Sequence, residues 1–356
     1  MSLVPVFDGH NDLLMRLARA KPGALDRLWR EGDGRGHLDL PRMRAGGFAG
    51  GMFAIYAPSP MGADALAGLD AMMAAPPYAV PLPPPLPQAE AEGAALAQAG
   101  ILLRLERISD GAFRLCRSAA EIRAAMAAGA VAAVMHMEGA EAIGPDLDAL
   151  HLFHALGLRS IGPVWSRPTI FGPGVPFAFP ADPDTGEGLT PAGAALVREA
   201  AGLRMVIDLS HMNAAGVRDV TRLTEGPLIA THSGAHAVSP SSRNLTDAQL
   251  ALIAERGGMV GLNFAVGFLR PDGRRRPDMG FEVILRHLDH LILRLGEDHV
   301  GFGSDFDGAL IPDAIRDVAG LPALIAALRA HGYDEALIVK LARGNWLAAL
   351  ERVWGG

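Results

Sequence analysis

Histidine and carboxylate side chains stand directly after predicted strands, where they could bind a metal ion. Near the start of the chain, His10 and Asp12 follow the apolar run VPVFDG. Residues i and i+2 of an extended segment point the same way, so both side chains can reach one cation. The H-x-D triplet alone is weak evidence, and we interpret another one, His37-Leu38-Asp39, as ordinary surface. Position after an apolar strand distinguishes the first triplet.

Three further candidates end other apolar runs. Glu138 ends VAAVMHME, His211 ends MVIDLSH and His232 ends PLIATH. A carboxylate that closes an apolar run needs a partner, because an unpaired buried charge is costly, and its two oxygens could bridge two cations. A single histidine at a strand end is more often structural than a ligand. Two of them on successive strands favour a metal site.

Neighbouring polar residues receive structural interpretations. His136 lies two residues before Glu138, deeper in the same strand, and we interpret it as a hydrogen-bonded interior histidine, with a metal ligand as the less favoured alternative. Asp208 precedes His211 by three residues, so alternation along a strand directs it toward the helices. We therefore leave Asp208 out of the candidate site.

The last predicted strand, in VGFGSDFDG, brings two aspartates to the same end. Asp305 is nearer the strand body and is the candidate acid–base residue. Such a carboxylate can orient or deprotonate a water on a metal and later protonate the leaving amine. We interpret Asp307 as a solvated loop residue.

These residues can form one site only in a fold that brings the ends of several strands together. Short β-rich runs alternate with amphipathic segments such as Pro191–Leu203, Thr246–Glu255 and Phe281–Leu295. This alternation predicts a parallel sheet with helical crossovers, and eight strands favour a closed (β/α)8 TIM barrel over an open doubly wound sheet. Active sites of such barrels lie at the carboxyl ends of the strands. The predicted strands are Val4–Asp8, Gly50–Ala57, Val131–Glu138, Ser160–Trp165, Met205–His211, Leu228–His232, Met259–Phe264 and Val300–Asp305.

One proline-rich stretch interrupts the alternation. The chain of 356 residues is otherwise predicted to be a single barrel domain over residues 1–356. Met61–Pro87 ends in PPYAVPLPPPLP, which cannot be helix or central strand because proline fixes φ and lacks an N–H. We predict a surface excursion between the second strand and its helix. A role as a polyproline ligand for another protein is the weaker alternative.

Composition excludes several classes of function. A net charge of −7 without a Lys/Arg run argues against nucleic acid and anionic membranes as partners. Cys116 is the only cysteine, so neither an internal disulfide nor a thiolate zinc cluster is expected. No signal peptide or membrane-spanning tract is recognisable, and we expect a cytoplasmic location. Histidine and carboxylate ligands suit zinc, with manganese or iron as alternatives.

Several segments, in order along nearly the whole chain, together resemble one known family. They include FDGHNDLL, HMEGAEAIG, DLSHMN, ATHSGAHAVSPSSRNLTDAQL, GFGSDFDG and GNWLAAL. The sequence is similar to the membrane (renal) dipeptidase family, which are zinc peptidases of the amidohydrolase superfamily. The resemblance implies a metal-dependent barrel of the amidohydrolase type with two divalent cations. It also suggests a homodimer.

The resemblance also assigns roles to single residues. It implies that His10 and Asp12 bind one zinc ion, that His211 and His232 bind the other, and that Glu138 bridges the two. Asp305 matches the catalytic acid–base residue of the family. Arg243, in SSRNL, matches the arginine that binds the terminal carboxylate of the substrate. A guanidinium group pairs bidentately with a carboxylate, although without the family Arg243 would be a simple loop cation.

The sequence departs from the family pattern at two positions. Many relatives carry an oxyanion-stabilising histidine after the fourth strand, where this chain has Trp165. We interpret Trp165 as a substrate-binding wall of the pocket. Oxyanion stabilisation then falls to the metal, to a water or to a group such as Arg167. A tyrosine of some relatives is replaced by Ala265, and both changes bear on substrate range.

The resulting hypothesis is a metallo-dipeptidase for small L-Xaa-L/D-Xaa substrates with a free C-terminal carboxylate. One alternative keeps the metals but acts on an N-acyl amino acid, a cyclic amide or a β-lactam. Another is a barrel that binds metal or peptides without catalysis, which the intact ligand set and Asp305 argue against. H-E-x-x-H, G-x-S-x-G and Walker A motifs are missing from the sequence.

Overall fold

Parallel strands around a closed ring form the centre of the structure. The computed structural model describes residues 3–60 and 63–355, so Met1, Ser2, Met61, Gly62 and Gly356 lie outside the described residues. Within these ranges the strands are β1 (Val6–Asn11), β2 (Phe48–Tyr56), β3 (Tyr78–Ala79), β4 (Phe113–Leu115), β5 (Val131–Glu138), β6 (Leu158–Gly162), β7 (Ala178–Phe179), β8 (Val206–Ile207), β9 (Ile229–Ser233), β10 (Met259–Asn263) and β11 (Val300–Gly303).

The order of the strands confirms the predicted barrel. Parallel pairing runs β8-β6-β5-β2-β1-β11-β10-β9, and a bridge between Asp208 and Ile229 joins the two ends of this series. The eight predicted strands correspond to these eight, which alternate with helices as the sequence indicates. The short strand β4 pairs with the amino-terminal part of β5 outside this series.

Helices surround the barrel and connect its strands. All three predicted amphipathic segments are helices, and Thr246 begins one of them with a reciprocal capping box to Gln249. The helices are α1 (Leu13–Ala18), α2 (Leu25–Arg30), α3 (Leu40–Gly46), α4 (Ala63–Met73), α5 (Gln88–Ile108), α6 (Ala119–Ala127), α7 (Asp148–Leu156), α8 (Pro191–Gly202), α9 (Ala214–Leu223), α10 (Asp247–Glu255), α11 (Val266–Leu269), α12 (Phe281–Leu295), α13 (Leu321–His331), α14 (Glu335–Val339) and α15 (Asn345–Trp354).

Strand β5 shows how the sequence aims side chains into the barrel. Its odd-numbered residues, such as Met135, pack in the large apolar layer between sheet and helices. Ala132 and Val134 belong instead to a second cluster at the base of the barrel, around the buried Trp346 of α15. Alternation therefore directs His136 and Glu138 into the barrel above that apolar base. The base excludes water beneath the polar side chains.

Strand β8 is shorter than predicted, and this corrects the interpretation of Asp208. Regular pairing ends at Ile207, and His211 has a left-handed backbone with φ of 65°. The alternation of an extended strand therefore does not extend from Asp208 to His211. Asp208 is buried, and its carboxylate lies 3.6 Å from the inward-facing His136 Nε2. The prediction that Asp208 faces the helices is wrong.

The proline-rich excursion lies where the sequence places it but is not simply surface. It carries helix α4, and its strand β3 pairs antiparallel with β7, away from the barrel sheet. Residues after Ala79 up to Pro87 have no regular structure, as the prolines predict. Leu69 and Met73 of α4 line the cavity at the barrel mouth. The excursion is therefore part of the cavity wall.

Candidate active site

The five predicted metal ligands meet at the carboxyl end of the barrel. Glu138 Oε1 lies 3.0 Å from His211 Nε2, 3.3 Å from His232 Nε2 and 3.7 Å from His10 Nε2. His10 Nε2 also lies 3.3 Å from Asp12 Oδ2. One carboxylate oxygen is thus surrounded by three imidazole nitrogens that come from three different strand ends.

The donor atoms fit divalent cations. His211 Nε2 and His232 Nε2 are 3.1 Å apart, close to the separation of about 3.3 Å expected for two nitrogens bound to one tetrahedral zinc ion. Both ring nitrogens of His10 are buried and lack a hydrogen-bond partner among the described residues. Buried polar atoms normally have partners, so these nitrogens indicate a ligand for the site.

Electrostatics of the site also favour a cation. Burial lowers the pKa of His211 and of His232 well below the usual value, which keeps both imidazoles neutral and able to coordinate. Burial also acts to lower the pKa of His10, but the nearby carboxylates of Glu138 and Asp12 outweigh it and raise that pKa to about 10. Excess negative charge around His10 is what a bound cation would compensate.

His136 lies below this group as an interior histidine, as expected. Its Nδ1 is 2.8 Å from the Ser160 hydroxyl, and its ring meets that of His10 edge-on with centroids 5.4 Å apart. Burial lowers the pKa of His136 to about 4. A neutral, hydrogen-bonded ring supports the ligands from beneath.

Asp305 lies at the rim of the site, two residues beyond β11. Its carboxylate is within 4.8 Å of donor atoms of His10 and Asp12, and Asn263 Nδ2 donates to its Oδ2 at 3.0 Å. The residue has φ of 60°, which turns the chain so that the carboxylate lines the cavity. Asp305 therefore lies beside the predicted metal ligands, and its acid–base role stays a prediction.

Asp307 and the triplet His37-Leu38-Asp39 differ from their predicted surface roles. The Asp307 side chain is fully buried and accepts a 2.9 Å hydrogen bond from Arg16 Nε. The backbone N–H of Asp307 donates to His37 Nδ1, while the buried Asp39 caps α3. Both surface interpretations are wrong, because these residues join the loop after β11 to the start of α3.

Arg243 is buried beside the predicted ligands. Its Nη2 donates to the His232 carbonyl at 3.3 Å, its guanidinium carbon is 5.4 Å from the Phe268 ring centre, and its Nε has no partner in the described part of the chain. Burial lowers the pKa of Arg243, and the charges of Asp305 and Glu138 oppose that shift. A buried guanidinium with an unused donor is suited to bind an anion.

Aromatic residues form one wall of the cavity. Trp165 contacts Tyr56, with ring centroids 5.1 Å apart, and lies tilted over His211 at 5.7 Å. Behind it, Arg167 is fully buried and donates to the Glu141 carboxylate and the Ala57 carbonyl. Arg167 is thus occupied in a structural network, which contradicts the suggestion that it stabilises an oxyanion.

The cavity above these residues has a volume of about 270 Å³. Glu138, His211 and Asp305 lie on its polar floor, and the side walls are mostly apolar, with Trp165 and Phe268 among them. Such a mixed pocket accommodates a small ligand whose polar part faces the floor.

Comparison with known proteins agrees with this geometry. The profile of the membrane dipeptidase family, peptidase family M19, matches residues 1–355. The chain belongs to this family. It is therefore a metallo-dipeptidase, and its family implies a divalent metal as cofactor.

Solved structures support the same assignment. A metallo peptidase from Rhodobacter sphaeroides, crystallised with a phosphinate mimic of the dipeptide L-Ala-D-Ala, is 64% identical and superposes with a TM-score of 0.97, covering 99% of this chain and 100% of the other. The structure of dipeptidase AC, also of family M19, is 64% identical with a TM-score of 0.97 and full coverage of both chains, 100% each.

One sequence relative comes from Klebsiella pneumoniae. The relative, a protein from the pqqA 5′ region, is 49% identical over 257 residues, which are 72% of the present chain and 95% of the relative.

Membrane-spanning helices are not found in the structure of the present chain. Among its described residues, no helix has both the length and the apolar character needed to cross a bilayer.

Proposed function

We propose that this dipeptidase hydrolyses L-Xaa-L-Xaa and L-Xaa-D-Xaa dipeptides with a free C-terminal carboxylate, using two divalent cations, for which zinc is the best fit. The observation that supports this most directly is the approach of Glu138 Oε1 to three imidazole nitrogens within 3.7 Å. One cation would be held by His10 and Asp12, the other by His211 and His232. Glu138 would bridge them.

The residues around this site would divide the chemistry among them. Bound divalent cations supply Lewis acidity, which activates water near neutral pH and polarises a carbonyl. Asp305 would accept a proton from the attacking water and deliver it to the nitrogen of the leaving amine. Asn263, which donates to Asp305 Oδ2, would leave the other carboxylate oxygen available for this transfer.

Arg243 would select the substrate by its C-terminal carboxylate. Its Nε, which has no partner among the described residues, and its partly engaged Nη2 lie next to the predicted ligands, where burial strengthens an ion pair. Trp165 and Phe268 would confine the rest of the substrate between apolar walls. This arrangement restricts cleavage to short peptides, because a longer C-terminal extension would move the carboxylate away from Arg243.

Hydrolysis of a dipeptide panel before and after metal removal tests the proposal. We expect turnover of free dipeptides, loss of turnover after chelation and its return when zinc is added. Metal analysis should give about two ions per chain, as two-metal hydrolytic sites require. Equal hydrolysis of C-terminally amidated dipeptides would contradict the carboxylate requirement and favour the cyclic-amide or N-acyl alternatives.

Replacing Arg243 by methionine should remove the preference for a free carboxylate. We expect kcat/KM for free dipeptides to fall about 10- to 100-fold, since a hydrogen bond to a charged group contributes about 1.5–3 kcal/mol. Hydrolysis of the amidated analogues should change little. Steady-state kinetics on matched free and amidated pairs measures both.

Arg19→Gln is the control for this change. Arg19 also lines the cavity but is exposed, so its loss should preserve the discrimination between the two substrates. If the Arg243→Met and Arg19→Gln variants prefer free over amidated dipeptides to the same extent, Arg243 does not bind the carboxylate.

A further inference from the structure

A chain of hydrogen bonds runs from a buried carboxylate to one of the proposed metal ligands. Asp208 Oδ2 accepts a 2.6 Å hydrogen bond from the Thr231 hydroxyl, and that hydroxyl lies 2.8 Å from His232 Nδ1. The other oxygen, Asp208 Oδ1, accepts from the backbone N–H groups of Thr231 at 2.8 Å and Ser210 at 3.0 Å. The three residues Asp208, Thr231 and His232 are all buried.

The direction of these hydrogen bonds follows from the chemistry of the groups. An ionised carboxylate only accepts hydrogen bonds, so the single hydroxyl proton of Thr231 is donated to Asp208. In its hydrogen bond with His232, the Thr231 oxygen must then be the acceptor. This requires the proton of the His232 imidazole to be on Nδ1. His232 Nε2 consequently carries the lone pair, and this is the nitrogen 3.3 Å from Glu138 Oε1.

We infer that Asp208 is a positioning residue, which acts through Thr231 to hold His232 in the tautomer that binds metal. The inference rests on the proposed metal site. Partners of this kind behind a ligand histidine determine its ring orientation and its basicity. Gly9, Gly261 and Gly303 leave space beside the Thr231 carbonyl that a Cβ atom would fill, so the backbone of β9 approaches these three neighbours closely.

The second histidine of the same proposed cation lacks this directional control. His211 Nδ1 lies 2.8 Å from the Ser166 hydroxyl. In the described part of the chain that hydroxyl makes no hydrogen bond to a carboxylate, so it can either donate or accept. The two proposed ligands therefore differ, because of the two only His232 is linked through a hydroxyl to a buried carboxylate.

Exchanging Asp208 for asparagine should reverse the direction of the hydrogen bonds. The amide oxygen must face the backbone N–H groups of Thr231 and Ser210, which turns the amide NH2 toward the Thr231 hydroxyl. Thr231 would then donate to His232 Nδ1, which places the imidazole proton on Nε2 and blocks coordination. Thr231→Val removes the hydroxyl. The proton of His232 is then no longer held on Nδ1, but it is not forced onto Nε2 either.

The experiment measures zinc affinity in the purified full-length protein by competition with a chelator. We expect the apparent dissociation constant of zinc to rise about 10-fold for Thr231→Val and about 100-fold for Asp208→Asn, the range known for partners of ligand histidines. Thr231→Ser, which retains the hydroxyl, should remain within about threefold of the wild type by the same reasoning. The double variant D208N/T231V should bind zinc as well as T231V alone, because the asparagine no longer reaches His232 through a hydroxyl.

Controls separate positioning from folding. Thr224→Val removes a buried hydroxyl that donates to the Val220 carbonyl and contacts no proposed ligand, so its zinc affinity should be that of the wild type. Thermal unfolding of the metal-free proteins measures any structural loss independently of metal. If Asp208→Asn and Thr231→Val lower only this thermal stability and bind zinc normally, the inference is overturned.

The outcome also separates this inference from the proposed function. A wild-type protein that binds no zinc at all would overturn the proposed metal site itself. Normal binding by the wild type together with additive losses in the double variant would overturn only the role of Asp208. Worse binding by Asp208→Asn than by Thr231→Val, with recovery in the double variant, supports it.

Discussion

Asp305→Asn is expected to lose almost all dipeptide turnover while keeping its bound metal. Asparagine has the same shape and tolerates the left-handed backbone at this position, where φ is 60°. It can still accept the hydrogen bond from Asn263 but cannot take a proton from water. Because general acid–base catalysis contributes about 10²–10⁴-fold, we expect kcat to fall about 1,000-fold.

Asp307→Asn is the matched control for this prediction. It makes the same change in charge two residues away, on a backbone with a similar φ of 68°. Asp307 pairs with Arg16 and not with the proposed ligands, so its loss should lower thermal stability and leave kcat within a few-fold. Metal analysis and steady-state kinetics on both variants provide the comparison. Normal turnover by Asp305→Asn would refute its proton-transfer role.

Glu138→Gln is expected to remove both metal binding and activity. The amide retains one oxygen, and its NH2 group would face either the imidazole nitrogens or the cations. Since bridging requires two acceptor oxygens, we expect metal content to drop below one ion per chain and kcat/KM to fall at least about 1,000-fold, or about 4 kcal/mol of transition-state stabilisation. Metal analysis after gel filtration and dipeptide kinetics measure the two effects.

Glu141→Gln shows whether such losses come from the site or from the fold. Glu141 is also a buried carboxylate, close in the chain, but it pairs with Arg167 rather than with the histidines. Removing one partner of a buried ion pair should cost about 3 kcal/mol in the free energy of unfolding. Its metal content should stay normal. A Glu138→Gln protein that retains both ions and full activity would contradict the bridging role.

Features that depend on local pattern were predictable from the sequence. The eight barrel strands follow from apolar runs with alternating helical segments, and the rule that parallel strand ends share one face brings His10, Glu138, His211 and His232 together. These four residues are predicted to bind metal because they are histidines or a carboxylate at the ends of apolar strands. Strand β5 agrees with its predicted limits because its alternation is uninterrupted from Val131 to Glu138.

Errors arose where the backbone leaves regular geometry. At the end of β8 and after β11, residues such as His211 and Asp307 have positive φ, so counting residues does not give the direction of a side chain. The residue pattern therefore predicts the wrong direction for the Asp208 side chain and a solvated position for Asp307, which is buried. The same limitation hid the pairing of Asp307 with Arg16, which are far apart in the chain.

The sequence by itself determined which chemistry this chain can perform. Histidine and carboxylate residues at strand ends predict a cation-binding site, and they place it at the carboxyl-end face of the barrel. Only the tertiary structure decided how the supporting groups are used: Arg167 is held by Glu141, the excursion with α4 lines the cavity, and Asp208 reaches His232 through Thr231. The physical reason is that these contacts join distant segments, and their hydrogen-bond directions depend on ångström-scale distances that no residue pattern encodes.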